Sequence, residues 1–390
     1  MTTSYVEIVD HAGKSVALFD AYRSLSWGHK LNAPGYFTLV IWGDDDRVVY
    51  LKKNYIVNIY RQPLGQTAFY LEFSGLITDF DYQWWENENS QVTISGVSMT
   101  GLLSRRIIDY TPNTPQAKKS GFCEDVARSY VSQNCGTEAD SSNRRSGSGL
   151  IPGFAVIPSM DYAGTYWQGD RSGENLLKVV QEIAQHSESL GLPLRFGVSF
   201  AKNPGIEFYF AITSRAYNQD RSALDISPVT GKNPSGNAPI VFAREMGNIS
   251  SLSESYYGTE ANVLVVVGAD NDGEVPFVSV QADDYDNDPL NLGRYERQID
   301  GREAVTPAML SVIGTEWLGE LKQKDESQFV PIVQRGSMYG IDWGFGDVVS
   351  YIKNDRTVVH KQIVSVSVQY DSQGVEAVSV EIGNLNFGRR

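Results

Sequence analysis

The sequence predicts a mainly β protein of the α+β class, with two related, duplicated β-barrel domains, an α+β domain between them and a helical insertion in the second barrel. The first observation behind this prediction is an internal repeat, because a pattern of strand, long strand and strand at residues 55–98 returns at residues 347–384. The second is the alternation of apolar and polar residues in the last strands, which is typical of a sheet with one buried face. Two like β-units in one chain indicate pseudo-symmetry, which suits ring-shaped assemblies.

The length and the composition set the number of domains. A chain of 390 residues with 41% hydrophobic residues is long enough for two or three packed domains. We expect the first barrel at residues 1–106, the intermediate domain at 107–238 and the second barrel at 239–390. A Pro-, Gly- and Asn-rich segment at 227–239 is the basis for the second boundary.

Short strands separated by turn residues predict the first barrel. Strands are expected on both sides of the turn at residues 11–13 and at residues 35–42, which begin at a Pro–Gly turn. Gly75 lies where the apolar phase of a long strand shifts, and this position indicates a bulge or a barrel corner. Residues 99–106 are expected to form a short helix that closes the domain.

Two helices and a hairpin predict the intermediate domain. Apolar residues at helical spacing indicate one helix at 122–131 and another that begins near residue 174, with Ser172 as its N-cap. Residues 193–200 and 206–213 are expected to pair as a β-hairpin.

The second barrel is predicted to repeat the first and to carry an insertion. Residues 261–268 are expected to be the counterpart of the strand at 35–42. The separation between this strand and the next is much longer in the second copy, which predicts an inserted segment. That segment includes a helix near 303–323, for which Thr306 is the expected N-cap and Pro307 the first residue.

Charge, cysteine content and the N-terminus argue against several classes of protein. The formal net charge of −14 disfavours binding to nucleic-acid phosphates, and it suits either a wall past which DNA slides or simple solubility. Cys123 and Cys135 have neither zinc-ligand spacing nor the pattern of a disulfide scaffold, which indicates synthesis in a reducing compartment. No signal peptide is evident, and no apolar run is long enough to cross a bilayer.

The sequence contains no set of residues that carries a catalytic mechanism or a cofactor motif. Its four histidines lie in unrelated segments, without partners at metal-site or triad spacing. Asp284, Asp286 and Asp288 alternate as the oxygen ligands of a calcium ion do. The loop lacks the glycine and the distal glutamate of an EF-hand loop, so a solvated loop is favoured over a calcium site and no metal ion is expected.

Trp84 and Trp85 stand beside Glu86 and Glu88 at a predicted turn between two strands. Aromatic side chains next to carboxylates occur in sites that bind or cleave glycans, and an exposed aromatic pair also suits a contact with a partner protein. Tyr and Trp combine an apolar body with a polar end, which is why they are common in interfaces. The predicted partner-contact residues are Trp84, Trp85, Tyr256, Tyr257 and Trp343.

Six segments, which together span most of the chain, carry a family resemblance. They are LNAPGYFTLVI (31–41), LEFSGLITDF (71–80), VSMTGLLSRRII (97–108), RSGENLLKVVQEIA (171–184), FAREMGNISSLSESYYGTEANVLVVVG (242–268) and YGIDWGFGDVVSY (339–351). In this order they resemble the tail hub proteins of long-tailed phages. That family includes siphophage baseplate hubs and the cylinder-forming hub of contractile-phage baseplates.

The resemblance implies a homotrimer in which two barrels from each of three chains form a six-barrel ring, as the duplication also indicates. It implies a location at the virion tail tip, with a distal tail or tube protein, the tape-measure C-terminus and a tip or fibre protein as partners. DNA would pass through the ring without specific binding, and neither membrane insertion nor a cofactor is expected. The alternatives are a glycan-cleaving tail protein that acts through Glu86, Glu88 or the acidic loops, and a receptor- or carbohydrate-binding module that uses exposed aromatic residues.

Overall fold

Strands dominate the computed structural model, and the predicted mainly β fold class is confirmed. None of the helices in the described residues has the length and the apolar character that a membrane span requires. The described residues are 3–85, 88–111, 114, 116–158, 164–202, 205–213, 219–257, 260–270, 274–282, 292–302, 306–321, 324–332 and 334–383.

The strands and helices have the following bounds. The strands are β1 (Thr3–Val9), β2 (Ser15–Phe19), β3 (Ser24–Lys30), β4 (Tyr36–Trp42), β5 (Ile56–Gln62), β6 (Tyr70–Trp85), β7 (Glu88–Ser98), β8 (Ala117–Phe122), β9 (Phe154–Val156), β10 (Tyr166–Arg171), β11 (Arg195–Lys202), β12 (Ile206–Thr213), β13 (Val241–Phe242), β14 (Ile249–Tyr257), β15 (Val263–Val267), β16 (Phe277–Gln281), β17 (Glu296–Asp300), β18 (Lys324–Pro331), β19 (Val348–Ile352), β20 (Val358–Tyr370) and β21 (Glu376–Ile382). The helices are α1 (Cys123–Asn134), α2 (Leu176–Ser189), α3 (Pro307–Leu321) and two 3-10 helices at Asp46–Tyr50 and Met99–Arg105.

One continuous sheet joins the two predicted barrels. Its strand order is β14-β18-β21-β20-β3-β4-β7-β6-β5-β1-β2, and β19 and β13 attach beside β20. We call β1–β7 the first unit, and β13, β14 and β18–β21 the second unit. The ends of this path, β14 and β2, do not pair with each other in the part of the chain that the structure describes, so no closed barrel is found there. A single hydrophobic core contains buried residues of both units.

The internal repeat is present in the strand order. The order β5-β6-β7-β4-β3 in the first unit corresponds to β19-β20-β21-β18-β14 in the second, and every neighbouring pair in both series is antiparallel. Both units also have an irregularity at the same place, after Ile77 in β6 and after Ile363 in β20. This agreement fixes which residues of the two units are equivalent. One matched row across the sheet contains Leu25, Leu39, Ile94 and Phe80 in the first unit and Leu252, Phe329, Val380 and Val366 in the second.

The predicted counterpart of the strand at 35–42 is wrong, because β18 and not β15 occupies that place in the second unit. β15 lies between β16 and β17 in a separate sheet, against which α3 packs, and the four elements share a core of their own. A strand covered in this way is apolar along most of its length, which explains the run Val263–Val267. The insertion therefore begins after β14 and contains a small sheet as well as the predicted helix.

The intermediate part of the chain contains α1, α2 and the strands β8–β12, which share a second core. The predicted hairpin is confirmed as the antiparallel pair β11–β12. The N-cap of α2 is Asn175 and not the predicted Ser172, since the Asn175 side chain accepts a hydrogen bond from the Lys178 backbone amide. At α3 the predicted N-cap is confirmed, because Thr306 Oγ1 accepts a bond from the Met309 amide.

Gly75 is required by a close approach of neighbouring groups. The strand irregularities lie on either side of it, opposite Ile59–Tyr60 and after Ile77, so the predicted bulge is displaced from Gly75 itself. A Cβ atom at Gly75 would lie 2.8 Å from the Val97 carbonyl oxygen and 2.8 Å from the Phe73 ring. Only glycine leaves room for this contact.

Candidate assembly surfaces

The two units meet within the chain where β3 pairs with β20. Six residue pairs form this antiparallel contact, from Leu25 opposite Tyr370 to Lys30 opposite Ser365. On the inner face Trp27 stacks on Tyr370, with ring centroids 5.8 Å apart, and both side chains are buried. We call this strand pair and the side chains packed on it the junction.

A buried ion pair links the two units near the junction. Arg61 in β5 and Glu376 in β21 approach to 2.5 Å, with 3% and 6% of their side chains exposed. Arg61 also donates hydrogen bonds to Tyr70 Oη and to the Tyr339 carbonyl oxygen, and its guanidinium lies 4.8 Å from the centre of the Tyr339 ring. Burial works to lower the pKa of Arg61, but the charge of Glu376 overcomes this effect and raises it.

A second carboxylate at the junction is held in its charged form by hydrogen-bond donors. Tyr339 Oη donates to Glu72 Oε1 at 2.5 Å, and His29 Nε2 lies 3.4 Å from the same oxygen. Burial works to raise the pKa of Glu72, but its contacts with His29, Tyr339 and Tyr70 outweigh burial and lower the pKa to about 2. Tyr339 lies between β18 and β19 of the second unit, whereas His29, Tyr70 and Glu72 lie in strands of the first unit. This network therefore also holds the two units together.

The junction is not a built site for a small ligand. A cleft of about 420 Å³ beside it is lined in part by His29, Tyr70, Glu72 and Tyr339, whose polar groups already contact one another. In the described ranges, no three His, Cys, Asp or Glu side chains converge as metal ligands would. The junction therefore fits a structural role.

The outer end of β6 carries exposed aromatic side chains on the face that continues the core. Phe80, Tyr82 and Trp84 are 48%, 52% and 66% exposed. Their counterparts in the repeat are Val366, Val368 and Tyr370, which are 0%, 1% and 1% exposed. The difference arises because β3 covers β20 at these positions, whereas among the described residues no strand lies on that side of β6 beyond Ile77.

The predicted partner-contact residues have different environments. Trp84 and Trp85 lie on the surface, at 66% and 40% exposure. Trp343 is 2% exposed, its Nε1 donates to the Ser337 carbonyl, and it packs against Phe242. The structure therefore places Trp343 in the core, away from any surface contact.

Several predicted site residues fall outside what the structure describes. The calcium candidates Asp284, Asp286 and Asp288 lie outside the described residues, as does Glu86. For Tyr256 and Tyr257 only the backbone is described, at the end of β14.

The sequence reasoning missed the charged residues of the junction. A signal was present, because Val57, Ile59 and Arg61 alternate along β5 and all three are buried. A charged residue in the buried phase of a strand predicts an opposite charge nearby. The sequence gives no indication that Glu376, in the other unit, is that partner.

Comparison with known proteins gives a family and a fold. The family model described as Siphovirus ReqiPepy6 Gp37-like protein matches residues 5–384. No curated protein matches the chain in sequence.

Among solved structures, the chain is similar to a 43 kDa tail protein of prophage MuSo2 from Shewanella oneidensis, with a TM-score of 0.58, 14% identity and coverage of 97% of this chain and 98% of that one. It is also similar to a tail protein from Neisseria meningitidis, with a TM-score of 0.55, 10% identity and coverage of 98% and 96%. A prophage tail protein, gp18, from Listeria monocytogenes gives a TM-score of 0.51, 10% identity and coverage of 99% and 95%. At these identities the likeness concerns the fold.

Proposed function

Because the chain belongs to the family of siphovirus ReqiPepy6 Gp37-like proteins, we propose that it is a structural hub of a phage tail tip. In this role it forms a homotrimeric ring that adapts a sixfold tail tube to a threefold tip and gives passage to DNA. The observation that carries the proposal is the matched strand order of the two units. Three chains with two like units each would present six equivalent surfaces to a sixfold tube.

The proposed partners follow from this position in the particle. A distal tail or tube protein would lie above the ring, the C-terminus of the tape-measure protein inside it and a tip or fibre protein below. The net charge of −14 supports a lumen that DNA crosses without binding. The ring would be built from residues 1–106 and 239–390, with residues 107–238 outside it.

Labelling of intact particles tests this role. Val229 is 91% exposed in the loop between β12 and β13, so a short epitope inserted after it should be tolerated. We expect an antibody to the epitope to decorate the tail tip in electron micrographs and to leave untagged particles bare. Decoration of the head, or particles that lack the tagged chain altogether, would overturn the proposal.

A receptor- or carbohydrate-binding role is a second candidate, and the exposure of Trp84 and Trp85 is the observation that favours it. Its test is the binding of purified protein to intact host cells. Loss of binding in Trp84→Ala/Trp85→Ala, with the native mass unchanged, would support it. Loss of assembly in the same variant would favour the hub.

A further inference from the structure

We propose that β14 of one copy pairs antiparallel with the outer end of β6 in a second copy, and so repeats between chains the β3–β20 junction found within the chain. This inference rests on the trimer proposed above and specifies the contact that builds it. The partner is a second copy of this chain, and the contact is a strand added to an open sheet edge.

The repeat identifies the two edges that should meet. In the first unit β3 lies between β4 and β20, whereas its counterpart β14 pairs, among the described residues, with β18 on one edge only. In the second unit β20 has β21 on one side and β3 on the other, whereas in the part of the chain that the structure describes the outer end of β6 has β7 alone. Each chain therefore has, within its described residues, one strand edge of each kind left over.

The aromatic side chains of β6 supply a second, independent argument. In the second unit, where β3 covers β20, the three inner-face positions hold Val366, Val368 and Tyr370, and all three are buried. In the first unit the same positions hold the larger aromatic side chains of Phe80, Tyr82 and Trp84, each of which is about half exposed or more. Burial of large apolar side chains is favourable, so three exposed aromatic side chains favour a cover of the kind that β3 provides for β20. An open strand edge with exposed aromatics also invites aggregation unless a specific partner covers it.

The register of the contact follows from the junction. Within the chain Leu25 lies opposite Tyr370, Ser26 opposite Gln369 and Trp27 opposite Val368. Replacing each residue by its repeat counterpart places Leu252 opposite Trp84, Ser253 opposite Gln83 and Glu254 opposite Tyr82 of the neighbouring copy. Residue numbers increase along β14 and decrease along β6 in these pairs, as they must in an antiparallel contact.

The contact is head-to-tail, because each copy offers a β14 edge to one neighbour and a β6 edge to the other. Such a contact generates a closed ring, whose size depends on the rotation between neighbouring copies, or an open fibre. The ring proposed above closes at three chains.

Disulfide crosslinking between copies tests the register. Ser253→Cys with Gln83→Cys joins two exposed positions that the register places directly opposite, within the Cα separation of about 4.4–6.8 Å that a disulfide needs. The native cysteines should not interfere, since both are buried and burial raises the pKa of Cys123 to about 11 and of Cys135 to about 12. Under mild oxidation we expect most of the double variant to run as disulfide-linked species on a non-reducing gel.

Ser253→Cys with Asp79→Cys is the matched control, because Asp79 faces the same side of β6 as Gln83 but lies four residues away, roughly 13 Å along the strand. It should crosslink several-fold less. If the wild-type chain is trimeric by light scattering, equal crosslinking of the two cysteine pairs, or no crosslinking of either pair, overturns the register and leaves the trimer standing.

The size of the linked species separates this inference from the proposed function. Linked dimers and trimers with nothing larger support both the contact and the trimer. A ladder that continues beyond three chains supports the strand pairing and refutes the closed trimer. A chain that remains monomeric and uncrosslinked at its highest soluble concentration refutes both.

Discussion

Glu376→Gln is expected to destabilise the chain strongly, because it removes the carboxylate that pairs directly with the buried, charged Arg61. Arg61 is 3% exposed, and its remaining hydrogen-bond and ring contacts are neutral groups, namely Tyr70 Oη and the backbone and ring of Tyr339. The charge of Glu72 also acts on Arg61, but Glu72 forms no direct ion pair with it. Removing one partner of a buried ion pair typically costs about 3–5 kcal/mol. Since glutamine keeps the shape of the side chain and one acceptor, we expect a loss of about 3 kcal/mol.

The assay is urea unfolding at fixed protein concentration, followed by tryptophan fluorescence, because Trp27 and Trp343 are buried in the core that both units share. The matched control is Asp300→Asn, which breaks the exposed pair between Asp300 and Arg302. That change should cost far less stability than Glu376→Gln, as is usual for surface pairs.

A double-mutant cycle makes this test sharper. Arg61→Met combined with Glu376→Gln removes the buried charge that Glu376→Gln alone leaves on Arg61. The double variant should therefore lose less stability than the two single losses added together. We expect a coupling of at least about 1 kcal/mol. Additive effects, or a Glu376→Gln loss no larger than that of the surface control, would show that the ion pair does not hold the units together.

Further predictions concern other parts of the fold. The pKa of Glu72 is lowered to about 2 in the folded chain, so this carboxyl contributes about 3 kcal/mol of stability that is present above pH 4.5 and disappears as the pH falls through about 2. Glu72→Gln should therefore lose less stability in acid than the wild-type chain, and urea titrations at several pH values measure this difference. Gly96→Ala should destabilise by about 1–3 kcal/mol or more, because its Cβ would collide with the Leu76 carbonyl oxygen, and thermal unfolding checks this. Asn175→Ala should cost about 1 kcal/mol, and Ser172→Ala distinctly less, if Asn175 is the cap of α2; a reversed order in denaturant midpoints would contradict the assignment.

The sequence predicted the class of the fold because strand alternation and helical periodicity are local signals. The last two strands, β20 and β21, the helices α1 and α2 and the hairpin β11–β12 all appear near their predicted positions. The repeat was also detectable, since its three final strands have similar lengths and turns in both copies.

The position of β18 could not be predicted in the same way. Its sequence, KDESQFVP, is mostly polar, whereas Val263–Val267 has the apolar run that a buried strand usually shows. Hydrophobicity therefore favoured the strand in the insertion over the strand that belongs to the repeated unit. The error arose because burial in the small inserted sheet gives the same pattern as burial in the main core.

The candidate surfaces were only partly predictable. Trp84 and Trp85 stood out by composition, and both are exposed. Trp343 had the same composition signal but lies in the core. The ion pair of Arg61 with Glu376 joins residues more than three hundred positions apart, and only the strand order of the folded chain brings them together.

The native mass of the purified chain tests the central claim most directly. The chain has a mass of 43.2 kDa, and light scattering over a range of concentrations should give three times this value, with a ring of six similar lobes in electron micrographs of the same fractions. A stable monomer or a twofold dimer at every concentration would contradict the account.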